Sequence, residues 1–126
     1  HVAKEAAQYL GASRKQDLVV IRKGIPCFAA MSDDERAKLI ASDSRYGKIV
    51  CRCECVTEGE IIDSIKRPLG ARDLDGVKRR TRAGMGRCQA GFCSPEVIRL
   101  IADTLGVPIT EVTKCGASSY VVAGRI

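Results

Sequence analysis

The sequence predicts a small, mainly α-helical domain with irregular cysteine-bearing loops and at most a minor two-stranded β element. Three observations predict it. Two Ser/Thr-x-x-Glu capping boxes, Ser32–Glu35 and Thr57–Glu60, mark helix starts. Apolar residues behind the later starts recur at helical spacing: Ile61, Ile62 and Ile65, then Val97, Ile98, Ile101 and Leu105. Glycines and cysteines crowd the intervening stretch, with Gly84, Gly86 and Gly91 around Cys88 and Cys93.

Taken in order, the first ten residues are helical in pattern and stop at Gly11, a good terminator, although no capping residue precedes them. This uncapped start suggests the tail of something longer. Leu18-Val19-Val20-Ile21 reads as a strand or as a buried turn of helix. The Ser32 box opens a short helix to about Ile40, and polar Ser42-Asp43-Ser44-Arg45 reads as a linker. Lys48 to Val56 alternates and is read as extended or irregular; the Thr57 box then opens a helix that Pro68 ends. Asp73 caps a further helix with Leu74 and Val77 inward and Lys78, Arg79 and Arg82 outward. Ser94 is read as the cap of the next helix, with Pro95 at its first position and Gly106 at its end. Ile109 to Thr113 gives one more turn, and Tyr120-Val121-Val122 a short strand.

At 126 residues the chain fits one domain or a small domain with an appendage. No apolar run approaches the roughly eighteen residues of a membrane span, and the charged first thirty residues do not resemble a signal peptide. A cytoplasmic location is the expectation, so the seven cysteines read as metal ligands or reduced thiols before disulfides. Five scattered aromatics offer no stacking platform, and no nucleic-acid partner is expected.

Cys51-Arg52-Cys53-Glu54-Cys55 puts three thiols within five residues, next to charges that resist burial. With Cys88 and Cys93 the cysteines form a C-x-C pair and, after thirty-four intervening residues, a C-x4-C pair. That first spacing is too tight for the usual zinc modules and the second is at their limit. The sole histidine is His1, so an all-thiolate site leaves structural zinc or an iron–sulfur cluster. Charge leans toward the cluster. Residues 46–126 hold 13 basic and 9 acidic groups, and Lys78 to Arg87 supply five basic groups and no acid. Arg82, Arg87 and the backbone N–H groups of Gly86 and Gly91 are candidates to ease the charge of a cluster. The helix starts after Thr57 and Ser94 would both turn positive dipole ends toward the sulfurs.

The strings Tyr46 to Glu54, Val56 to Ile61 and Arg80 to Cys93 closely resemble the bacterioferritin-associated-ferredoxin-like (BFD-like) domain, in the version found at the C-terminus of FAD-dependent glycerol-3-phosphate dehydrogenases and related FAD-dependent oxidoreductases. The resemblance spans roughly Tyr46 to Leu105. It implies a small helical fold and a 2Fe-2S cluster held by Cys51, Cys53, Cys88 and Cys93. It also implies that residues 1–45 are the end of a preceding flavin domain plus linker, with the cluster-binding domain at 46–126. The partner would be the flavin domain of the same polypeptide, carrying FAD. Two positions depart from the family pattern: Cys55 is ordinarily not cysteine, and Ala90 stands where a glycine is expected.

Cys55 is therefore a substitute ligand or a redox-sensitive bystander, and in a flat strand it would share a face with Cys51 and Cys53. Cys27 reads as a packed small side chain and Cys115 as a surface or hinge thiol. No nucleophile–base pair, phosphate loop or flavin fingerprint is present, so the chain alone is not expected to be catalytic. The expectation is an electron-transfer module of a flavoenzyme; the alternative is a zinc-stapled structural or interaction module.

Overall fold

A computed structural model describes residues 1–13, 21 and 23–124. Its elements are α1 (Val2–Tyr9), α2 (Asp33–Ser42), β1 (Ile49–Cys51), β2 (Val56–Thr57), α3 (Glu58–Lys66), α4 (Leu74–Thr81) and α5 (Ser94–Leu105). Short 3-10 turns occupy Phe28–Ala30, Ser44–Gly47 and Ile109–Glu111. The described residues are mainly helical with a two-stranded antiparallel sheet, as the sequence predicts. Among the described residues no helix is long and apolar enough to cross a membrane. Most of Leu18-Val19-Val20-Ile21 lies outside the described residues, and Ile21 itself is exposed.

Both capping boxes form. Ser32 and Glu35 close the start of α2, and Thr57 and Glu60 close that of α3. The apolar face of α3 packs on α5 and α4, so Ile61, Ile65, Val77, Val97, Ile98 and Ile101 share one core with Val112. Each such side chain contributes about 1.5–3 kcal/mol when fully buried. Asp73 caps α4 by accepting from the Gly76 N–H, and the carbonyls of Thr113 and Lys114 accept from the N–H groups of Leu74 and Asp75. The C-terminal loop thus satisfies donors that a helix start leaves free.

The segment before β1 folds onto α3. Buried Glu60 accepts from the backbone N–H of Phe28 at 3.1 Å in addition to its bonds within the capping box. Arg36 donates to the Phe28 carbonyl and places its guanidinium 5.2 Å from the Phe28 ring centroid. Tyr46 donates to Asp63 at 2.6 Å, and its ring lies against Gly59, where a Cβ would come within 2.5 Å of it.

Some local readings need correction. Cys93, not Ser94, is the N-cap of α5, which moves Ser94 and Pro95 into the first turn. Tyr120 makes an isolated bridge with Thr113, and no strand covers Tyr120–Val122. Cys27 is exposed where packing was expected, because the 3-10 turn after it buries Phe28 instead.

Candidate metal centre

The two cysteine pairs are brought together by a hairpin and a glycine loop. In the hairpin, β1 and β2 pair Ile49 with Thr57 and Cys51 with Val56, leaving Arg52–Cys55 as the turn. Cys51 therefore ends a strand with its side chain in the core, 1% exposed, whereas Cys53 sits at the exposed turn. Cys55 leaves the turn in the left-handed region at φ 53°. The segment is not a flat strand, so the three thiols do not share one face.

Across from the hairpin, the loop from Arg82 to Cys93 joins α4 to α5. It turns at Arg82 (φ 67°), Gly84 (φ 88°), Gln89 (φ 48°) and Ala90 (φ 70°). Gly86 is buried against the hairpin: a Cβ there would lie 2.1 Å from the Cβ of Cys53 and 3.3 Å from its Sγ. The absent side chain is what lets the two segments meet, which gives Gly86 a steric role.

Cys51, Cys53, Cys88 and Cys93 all line one cleft of about 630 Å³, together with Ile49, Arg52, Arg87 and Phe92. The sulfurs interact pairwise, Cys88 with Cys53 and Cys93 with Cys51, and Cys93 also feels Cys88. Cys55 does not line the cleft. Cys51 and Cys93 are buried, Cys88 is half-buried and Cys53 is exposed, so two sulfurs face inward and two outward. All seven cysteines are free thiols. Among the described residues, no three His, Cys, Asp or Glu side chains gather in a way that would hold one metal ion.

Charge at the sulfurs is set locally. The Cys88 thiol is drawn below its ordinary value, first by the Cys53 thiol and then by the backbone N–H of Phe92, with Ala90 and Gly91 adding. The Gly91 N–H also donates to the Cys88 carbonyl at 3.0 Å, which folds the loop tightly back on Cys88. Burial pushes the Cys93 thiol up to about 11, and neighbouring Cys51 and Cys88 add to the rise. A metal binding at this thiol has to displace its proton, so binding there strengthens as pH rises. α5 starts from Cys93 itself, whereas at the start of α3 the Thr57 and Glu60 N–H groups are taken by the capping box and the Glu58 N–H by the Lys48 carbonyl.

The basic run before Cys88 is mostly committed elsewhere. Arg82 pairs with Glu54 at 2.7 Å, Arg80 donates to the carbonyls of Gly76 and Leu69, and Arg79 approaches Asp73. Arg87 lines the cleft, as does Arg52, which sequence reasoning did not single out. Its place between two candidate ligands was the available signal. The Arg82–Glu54 pair was invisible because its partners lie 28 residues apart. Cys115 is exposed in a turn with Ser119, away from the cleft, in keeping with a surface thiol.

Residues 49–103 match the family described as the BFD-like [2Fe-2S] binding domain. The chain is 52% identical over 111 residues to a glycerol 3-phosphate dehydrogenase of Caloramator mitchellensis, a match covering 88% of this chain and 23% of that protein. It is 43% identical over 60 residues to the hydrogen cyanide synthase subunit HcnB of Pseudomonas aeruginosa, covering 44% of this chain and 12% of the relative. It is 44% identical over 49 residues to an anaerobic glycerol-3-phosphate dehydrogenase subunit from Escherichia coli K12, covering 39% and 9%. The chain thus spans no more than about a quarter of these relatives. No solved structure matches it.

Proposed function

We propose, from the match of residues 49–103 to the BFD-like [2Fe-2S] binding domain family, that the chain is the electron-transfer part of an FAD-dependent dehydrogenase of the glycerol-3-phosphate type. The observation that carries this reading is the convergence of Cys51, Cys53, Cys88 and Cys93 on one cleft. An all-sulfur donor set beside N–H groups suits a centre that carries negative charge.

Cys51 and Cys93 would hold the cluster from the dry side, and Cys53 and Cys88 from the open side. When bound, such a cluster exchanges one electron at a time, whereas the two-electron oxidation of the substrate belongs to a flavin outside this chain. This chain's own contribution is to exclude water behind Cys51 and Cys93, to stabilise charge at Cys88 through the amides of Ala90, Gly91 and Phe92, and to fix the hairpin against the loop at Gly86. Thiolates that hold a cluster must stay out of disulfides, which suits a reducing compartment, the cytoplasm. The exposed Val2, Tyr9 and Leu10 on and beside α1 support reading the first residues as the end of the flavin domain.

Protein purified without exposure to air tests the reading. It should be brown, carry about two irons and two sulfides per chain, and give a paramagnetic signal on reduction. Serine at any of the four positions should abolish these, and Cys55→Ser should leave them intact. Stoichiometric zinc in never-aerated protein would overturn the proposal in favour of a structural site.

A further inference from the structure

The open side of the cleft has a composition that the ligand set alone does not require. Phe92 is 89% exposed and Ile49 46% exposed, an unusual display in a chain with only two phenylalanines. Arg52 and Arg87 are both exposed at the same cleft, and neither makes an ion pair or hydrogen bond among the described residues. The acids nearby are already neutralised: Glu54 by Arg82, and Glu96 by Lys48 and Arg99. The rim therefore presents two uncompensated guanidinium groups around an apolar ring, beside the two outward sulfurs of Cys53 and Cys88.

Resting on the iron–sulfur reading above, we propose that this rim is the docking face for a separate, acidic one-electron carrier protein. Arginine and aromatic side chains are the types that dominate binding energy at protein interfaces. Unpaired positive charge attracts an acidic partner and speeds its encounter, which suits a short-lived complex. A face sealed permanently against the rest of the polypeptide would have to bury both guanidinium groups, at a cost of several kcal/mol unless each met a matched acid. A wet, transient contact tolerates them. Each encounter moves one electron from the site to the carrier, oxidising the former and reducing the latter by one, with no bond made or broken.

The full-length polypeptide is the material for the test, with flavodoxin as the acidic probe and cytochrome c as the basic one. Equilibrium binding of each is measured at low and at physiological ionic strength. Wild-type protein should prefer flavodoxin, and the preference should weaken with salt. The double variant Arg52→Glu/Arg87→Glu should lose about tenfold or more in flavodoxin affinity and gain for cytochrome c, a reversal that simple structural damage does not produce. Phe92→Ala should weaken flavodoxin binding about tenfold without changing its salt dependence. Two results overturn the proposal: equal probe preference in wild type and double variant, or protection of Phe92, Arg52 and Arg87 from solvent labelling in the full-length protein, which would mean that another domain covers the face. Iron content is read on the same samples, so an iron-loaded protein that fails these tests sinks the docking face alone.

Discussion

Gly86 is where the two cysteine segments come closest, and the geometry there is unforgiving. A methyl group would meet the Cβ of Cys53 at 2.1 Å and its Cα at 3.4 Å, a rigid part of the neighbour and not the tip of a flexible side chain. The backbone at Gly86 does not lie in the left-handed region, so alanine there faces a steric obstacle only. Overpacking of this kind costs about 1–3 kcal/mol, and the easiest relief is to push the hairpin tip, with Cys53, away from Cys88. Gly86→Ala should therefore keep its helical circular dichroism while losing most of its bound iron; full iron occupancy would show that the two segments need not touch. Cys55 makes the opposite case, because at φ 53° it occupies a conformation costly for any side chain. Its position in the turn, not its chemistry, keeps it off the cleft. The sequence showed three alternating thiols, but a left-handed residue in a four-residue turn leaves no periodic trace.

Among the elements, β1 and α5 are the two that bury a cysteine each, and Lys48, just before β1, joins them across the surface by pairing with Glu96 at 2.5 Å. Glu96 sits in the first turn of α5 and is also held by Arg99 at 2.7 Å. Hydrogen bonds from Arg99 first and Lys48 second draw the Glu96 carboxyl down to about 2, against an ordinary 4.5. Because the folded value is the depressed one, its stabilisation is fully present above pH 4.5 and is lost as pH falls through about 2. The partners are half-exposed, so solvent screening reduces the benefit to about 1 kcal/mol. Glu96→Gln should lower the stability of the protein by that amount at neutral pH, measured by denaturant unfolding, and the difference should shrink steadily below pH 4.5 and in high salt. Helix starts at Ser32, Thr57 and Asp73 were legible because a cap is a local signal, carried by residues three apart. The start of α5 was misplaced by one residue because Cys93, which lacks a capping hydrogen bond, occupies the place that Ser94 advertises. Pairs such as Lys48–Glu96, joined only by the fold, had no counterpart in the sequence.

For the molecule as a whole, the stretch that reads as a linker is partly built into the folded unit. Ser42-Asp43-Ser44-Arg45 is polar and looks expendable, yet it includes the start of the 3-10 turn that sets Tyr46 against Gly59. Upstream, Phe28 is buried and its N–H is taken by Glu60, so the chain from Phe28 to Gly47 straps the outer face of α3. This packing reaches well before residue 49, where the family match begins. It escaped a sequence reading because Phe28 and Glu60 lie 32 residues apart and neither belongs to a periodic pattern. Burial of the Phe28 and Tyr46 rings, with the hydrogen bonds to Glu60 and Asp63, is worth about 3 kcal/mol or more. In a domain of this size that corresponds to a melting shift of about 10–20 °C. Two truncations separate a passive linker from a strap. Removing residues 1–13 should leave the melting temperature of the iron-loaded protein unchanged, because α1 buries none of its side chains. Removing residues 1–47 should lower it by the full shift and speed the loss of iron on dilution, since the capping box of Thr57 and Glu60 continues directly from the β2 strand that carries the hairpin. Equal melting of the two truncated proteins would show that α3 and its cysteine hairpin stand without the strap.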